Sequence, residues 1–171
     1  MGDVFKEQLV KKAVTGKNTA LRFGIVTLAV IIFFFCLAIP FVQQFSVFVA
    51  AVLVFGAYFF ITRQNIEYEY VFTNGELDID IIYNKSRRKR LFSASVRDVE
   101  IMAHVQDTAR KHDLSNAAET KDYSSGIVGP NTYAFIMAYK GKRTKFIIEP
   151  NEMMIKAFST VLTPRKLYKK L

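Results

Sequence analysis

Hydrophobic and polar positions are unevenly spread along this chain. From Phe23 to Thr62 there is no Asp, Glu, Lys or Arg. A single helix of that length would measure about 60 Å, twice the hydrocarbon core of a bilayer. The run divides more naturally into two helices, over 23–42 and 45–62. Gln43 and Gln44 form its only strongly polar pair, and Pro40 fits a bend into the turn between them. Lipid offers no hydrogen-bond partner, so each segment must satisfy its backbone internally as a helix. The pattern therefore predicts a transmembrane helix hairpin over 21–62.

On the N-terminal side, Phe5, Leu9, Ala13 and Val10 fall at helical spacing with lysines on other faces. Residues 1–20 are expected to form a basic segment, either an amphipathic helix lying on an anionic membrane surface or a polar tail that sets topology. Gly16 to Thr19 reads as a break and a new cap.

Beyond Arg63 the period changes to two. In 66–73, Tyr68, Tyr70 and Phe72 alternate with Glu67, Glu69 and Val71. Asn74-Gly75 is a strong signal for a tight hairpin, because a type I′ turn needs positive φ at both central residues. In 76–83, Leu77, Ile79 and Ile81 oppose Glu76, Asp78 and Asp80. A third strand is expected over 88–94 and a fourth over 99–105. Residues 106–121 read as a long loop or short helix, and 122–128 as a fifth strand. Strands at 133–140 and 143–149 follow, and then a helix over about 151–163 with Pro150 at its start and Pro164 at its end. Arg165, Lys166, Lys169 and Lys170 form a basic tail.

Charge orients the hairpin. The flank before it carries Lys6, Lys11, Lys12, Lys17 and Arg22, Arg63 follows it, and the Gln43-Gln44 turn carries none. The positive-inside rule then places both termini in the cytoplasm of a multi-pass cell-membrane protein. A cleaved signal peptide fits less well, since the apolar segment is too long and no small-residue cleavage site follows. A re-entrant hairpin remains open. The lone Cys36 reads as an apolar packing residue.

The element order of hairpin strands, a long connection, further strands and one amphipathic helix resembles the pleckstrin-homology superfold. More narrowly, the chain resembles two-span bacterial membrane proteins, common in Clostridia-like organisms, that carry a PH-like domain after a helix hairpin. The resemblance rests on Ile66-Glu67-Tyr68-Glu69-Tyr70, Thr73 to Asp80, the run to Lys89-Arg90-Leu91, and Ile148 to Glu152. It implies an α+β membrane protein in which a PH-like antiparallel β-barrel or sandwich over 63–171 is capped by a C-terminal α-helix. It does not carry over phosphoinositide specificity. PH domains that bind those lipids cluster cations at the first hairpin turn, which here is Asn74-Gly75-Glu76.

The cations gather instead at Lys85, Arg87, Arg88, Lys89 and Arg90. In the register set by Asn74-Gly75, Glu69 would oppose Asp80, with Glu67, Glu76 and Asp78 on the same face. Like charges opposed across a sheet destabilise it, so one reading pairs the basic run with this acidic face. The other takes the run as a contact for anionic lipid headgroups or a protein partner; nucleic acid is not expected. The carboxylates alone make a poor divalent site, because alternation on a flat face converges ligands badly. His104 and His112 have no Cys nearby, and His104 is expected on a strand's outer face. No nucleophile elbow or Gly-rich phosphate loop is present, and no cofactor or metal is expected. The expected function is a non-enzymatic, membrane-anchored module that scaffolds partners or senses anionic lipid at the inner leaflet. One alternative is an accessory subunit, or a homo-oligomer, held through the hairpin's small residues Gly24, Ala29, Ala38, Ala50, Ala51, Gly56 and Ala57. Another is a metal-dependent enzyme using Glu67, Glu69, Asp78 and Asp80.

Overall fold

The computed structural model describes residues 4–168. The described residues divide into two compact units, one of residues 4–13 with 67–168 and the other of residues 14–66.

The second unit is helical. α1 spans Gly16–Leu37, a short α2 spans Pro40–Gln43, and α3 spans Ser46–Thr62. Asn18–Leu37 is long and apolar enough to cross a membrane, while α3 is an apolar helix of 17 residues. α1 stops at Leu37, earlier than the expected residue 42, for a reason written in the sequence. Pro40 lacks an N–H and would clash with the preceding turn, so it starts a new helix as its first residue. The large side chains of α1 and α3 are exposed, Phe35 and Phe55 each by 70%. Arg22 closes the open end of the hairpin, donating from Nε to Gln64 Oε1 at 3.3 Å and from Nη2 to Asn65 Oδ1 at 3.1 Å.

The first unit contains two sheets. One has the order β1-β2-β3-β4, formed by Phe5–Lys11, Ile66–Thr73, Glu76–Tyr83 and Arg87–Ser95. The N-terminal segment is therefore a strand, and the helical expectation for it is overturned. Phe5 lies opposite Thr73 and Lys11 opposite Glu67 in an antiparallel ladder. Leu9 remains exposed while Val10 is buried, so alternation rather than helical spacing governs the segment. Gln8 secures it from the inner face: its Nε2 donates to Glu149 O and its Oε1 accepts from Asn151 N, both at 2.7 Å.

The other sheet has the order β6-β8-β7-β5-β9, formed by β5 Ile101–His104, β6 Glu119–Asp122, β7 Tyr133–Tyr139, β8 Lys142–Ile148 and β9 Leu167–Tyr168. A short α4, Lys111–Ser115, lies in the connection before β6, and α5 spans Glu152–Ser159. The two sheets are not closed into a barrel, and they are not purely antiparallel, because β6 runs parallel to β8 and β9 parallel to β5. The expected fifth strand over 122–128 is instead β6 over 119–122 followed by a loop. Of the basic tail, Lys169 and Lys170 lie outside the described residues, while Lys166 Nζ donates to Arg97 O at 3.0 Å and Leu167 beside it is buried.

Aromatic residues join the two sheets. Phe92 of β4 packs on Phe135 and Phe146 with centroids 5.9 and 4.6 Å away, and Phe158 of α5 meets Phe72 edge-on at 5.3 Å. Asn151 caps α5, its side chain accepting from Met154 N at 2.8 Å. The sheet of β5 to β9 also buries its other face, where Ala103, Ala134 and Ile136 pack with Leu114 of α4. A void between the sheets, lined by Leu77, Phe92, Val96, Met102 and Phe135, offers about 10 Å³, roughly one water. The core therefore holds no room there for a small ligand.

Candidate functional site

The basic run occupies the turn after β3 and the first half of β4. Asn84 and Lys85 both take positive φ, 48° and 56°, and Ser86 N closes the turn on Tyr83 O at 3.0 Å. Lys85 thus sits in a conformation that Gly or Asn adopts more easily.

A β-bulge then sorts the cations onto two faces. The β3–β4 ladder pairs Ile79 with Phe92 and Asp80 with Arg90, leaving Leu91 as the extra residue. In an unbroken strand Arg90 would share the core face of Phe92. The bulge moves it to the outer face, where Arg88 also lies. Arg88 Nη2 approaches Glu69 Oε1 at 2.6 Å, Arg90 Nη1 approaches Asp78 Oδ2 at 2.8 Å, and Arg90 Nε donates to Asp80 Oδ1. Glu69 and Asp80 are each only 3% exposed. Two arginines thus pair with three carboxylates of the acidic face, Glu69, Asp78 and Asp80. Desolvation raises the Glu69 pKa, Arg88 opposes the rise, and Glu7 on β1 adds to it through repulsion and a hydrogen bond. The hydrogen bonds and nearby charges of Asp80 and Asp78 raise the pKa of Arg90.

Lys89 pairs with Ile81 and Arg87 with Tyr83, so both belong to the opposite face from Arg88 and Arg90. Lys85, Arg87 and Lys89 are exposed and make no ion pair among the described residues. Of the five candidate residues, two are committed to the sheet and three are free.

The free cations lie at a particular end of the sheet. β1 finishes at Lys11 opposite Glu67, close to where the chain leaves for and returns from the helical unit. β2 and β3 form a hairpin, so β3 finishes at that same end and β4 starts there. The Asn84-Lys85 turn, Arg87, Lys11 and Lys12 therefore share the junction end. The Asn74-Gly75 turn lies at the far end.

Two features escaped sequence reading. His104 was expected on an outer face, yet it is only 2% exposed. Gly129 O can only accept, so Nε2 donates to it at 2.9 Å, while Nδ1 accepts from Gln106 N at 3.2 Å. His104 is a structural pin for the 123–132 loop and is committed away from metal binding. Among the described residues no group of three His, Cys, Asp or Glu is arranged to hold a metal ion. The second feature is Tyr70, whose hydroxyl donates to Tyr123 O at 2.6 Å and accepts from Glu149 N at 3.3 Å. Burial raises the pKa of Tyr70 and pushes that of Tyr123 up to about 12.

A family profile described as Bacterial PH-like domain (DUF6106) matches residues 2–169. The chain belongs to this family. The match takes in β1 and the helical unit as well as the sheets, so the family is defined over both units. Neither the curated proteins nor the solved structures compared with this PH-like chain gave a match.

Proposed function

We propose that this protein is a non-enzymatic, membrane-anchored PH-like module whose basic turn contacts anionic lipid headgroups at the inner leaflet. Membership of a PH-like family suggests a lipid- or protein-binding role. The observation that carries the finer reading is the co-location of unpaired Lys85, Arg87 and Lys89 at the sheet end joined to two long apolar helices. α1 and α3 expose large apolar side chains to an extent that water does not favour and lipid does. With α1–α3 spanning as a hairpin and positive flanks inside, the junction end is tethered close to the bilayer surface. Each basic residue near an anionic surface contributes about 1 kcal/mol. Arg88 and Arg90 serve the sheet in this reading and leave the contact to Lys85, Arg87 and Lys89, with Lys11 and Lys12 beside them.

Hydrogen–deuterium exchange on the full chain in nanodiscs tests this. Residues 83–90 should exchange more slowly in anionic than in neutral nanodiscs, with 73–76 unchanged. Equal exchange in the two lipids would contradict the headgroup contact.

A second reading, an accessory subunit held through the helices, draws on one observation. Val26, Ala29, Val30, Phe33, Ala50 and Leu53 help line an apolar groove of about 360 Å³ between α1 and α3. Small residues there permit close approach of another helix.

A further inference from the structure

The 123–132 loop carries two large apolar side chains at its tip, Ile127 at 62% and Val128 at 56% exposure. A frayed loop would explain such exposure without any function, but this loop is firmly built. Ser124 Oγ donates to Asp122 Oδ1 at 2.5 Å and accepts from Gly126 N at 3.1 Å. Ser125 Oγ donates to Glu149 Oε1 at 2.7 Å and accepts from Ile127 N at 3.2 Å. Gly126 takes a φ of 87°, which turns the chain toward the tip. On the return side, Gly129 N donates to Thr132 Oγ1 at 2.8 Å, and Gly129 O is held by His104. The two acidic residues nearest the tip, Asp122 and Glu149, are thus occupied within the loop's own scaffold.

The position of the loop indicates what meets its tip. Ala13 N donates to Ser125 O at 2.8 Å, fixing the loop to the end of the N-terminal segment. Three Cα-to-Cα steps, about 10 Å at full extension, separate Ala13 from Gly16 at the start of α1. The loop therefore belongs to the junction end, with Lys12 and the free cations of the basic turn. An apolar pair displayed at the same end as Lys12 and the basic turn, on a loop held by side-chain hydrogen bonds, suits the boundary between headgroups and acyl chains.

We propose that the 124–129 loop is a second membrane contact of this protein, inserting Ile127 and Val128 into the headgroup–acyl boundary. The contact rests on the membrane-anchored reading above and adds to it a fixed orientation of the PH-like domain on the bilayer. The basic turn supplies charge attraction at the surface and the loop supplies apolar burial below it.

The test uses the full chain carrying Cys36→Ser, which removes its only cysteine. Spin labels are placed singly through Ile127→Cys, Val128→Cys, Ile31→Cys in α1 and Thr73→Cys at the far end of the sheet, in nanodiscs of mixed anionic and neutral phospholipid. Accessibility to oxygen, which partitions into lipid, is compared with that to a water-soluble nickel chelate. The proposal expects the labels at 127 and 128 about 5–10 Å into the interface, the label at 31 in the lipid and the label at 73 in water. Adding Ile127→Asp beside the label at 128 should return that label to water. Labels at 127 and 128 that match the one at 73, while the one at 31 stays in lipid, would overturn the loop contact and leave the anchor standing. Depth at 128 that survives Ile127→Asp would overturn it too. A label at 31 that reads as aqueous would overturn both.

Discussion

Tyr70 ties together three segments that are far apart in sequence. Its hydroxyl links β2 to the start of the 123–132 loop and to the end of β8. It is fully buried, so removing the hydroxyl leaves Tyr123 O and Glu149 N short of a partner. Tyr70→Phe is expected to lower stability by about 1–3 kcal/mol, measured by thermal unfolding of the detergent-solubilised chain. The pH dependence has a definite sign. Tyr68, Tyr70 and Tyr123 all have pKa values raised above the ordinary phenol. The folded state holds these protons more tightly than the unfolded state does. The resulting stability is complete below about pH 10 and is lost as pH rises through the folded values. Tyr70→Phe should flatten that alkaline loss, and an unchanged slope would show that Tyr70 is not part of it.

At the scale of elements, the bulge at Leu91 decides which cations are free. Simple alternation along β4 would place Arg90 with Phe92, whereas the ladder places it opposite Asp80. A double-mutant cycle of Asp80→Ala with Arg90→Ala should therefore show a coupling of at least about 0.5 kcal/mol, and the same cycle with Lys89→Ala should show none beyond the usual additivity error. Coupling of Asp80 to Lys89 would mean that the bulge is absent. The sequence made β2 and β3 plain, because Tyr68, Tyr70 and Phe72 alternate cleanly with polar positions and Asn74-Gly75 pins the turn. It misled at β1, where Phe5 and Leu9 mimic helical spacing and the partner strand lies some 60 residues away. It misled again at β5, since both faces are covered: Ala103 packs with Leu114 of α4, while Met102 lines the void between the sheets and His104, two residues on, shares its buried face. The bulge itself was not legible: no residue type requires it, and only the pairing of Arg90 with buried Asp80 reveals it.

Across the whole molecule, of net charge +9, the cations of the basic run fall into two populations. Arg88 and Arg90 pair with Glu69, Asp78 and Asp80, while Lys85, Arg87 and Lys89 are left at the junction end with Lys11 and Lys12. Family membership and the runs β2-β3-β4 and β7-β8-α5 were readable from the sequence, because the hairpin signals and the terminal helix are local; β1 and β9 were not. The division of the basic run was not, because it depends on strand faces. The isolated stretch from residue 64 onward would also lack β1, and with it the Gln8 bridge and buried Val10.

The most direct measurement joins the two parts of the PH-like unit, replacing residues 14–65 by a short Gly/Ser linker. Lys11 and Glu67 are ladder partners, so the ends to be joined are close. Co-sedimentation with anionic and neutral vesicles is then compared for this protein, for a Lys85→Gln/Arg87→Gln/Lys89→Gln variant and for an Arg88→Gln/Arg90→Gln variant, with circular dichroism confirming that each is folded. The joined unit should bind anionic vesicles alone, and in a salt-sensitive way. The first variant should weaken that binding at least tenfold, at about 1 kcal/mol per residue, while the second should bind nearly as before with a lower melting temperature. Equal binding to neutral vesicles, or equal loss in the two variants, would contradict the headgroup contact.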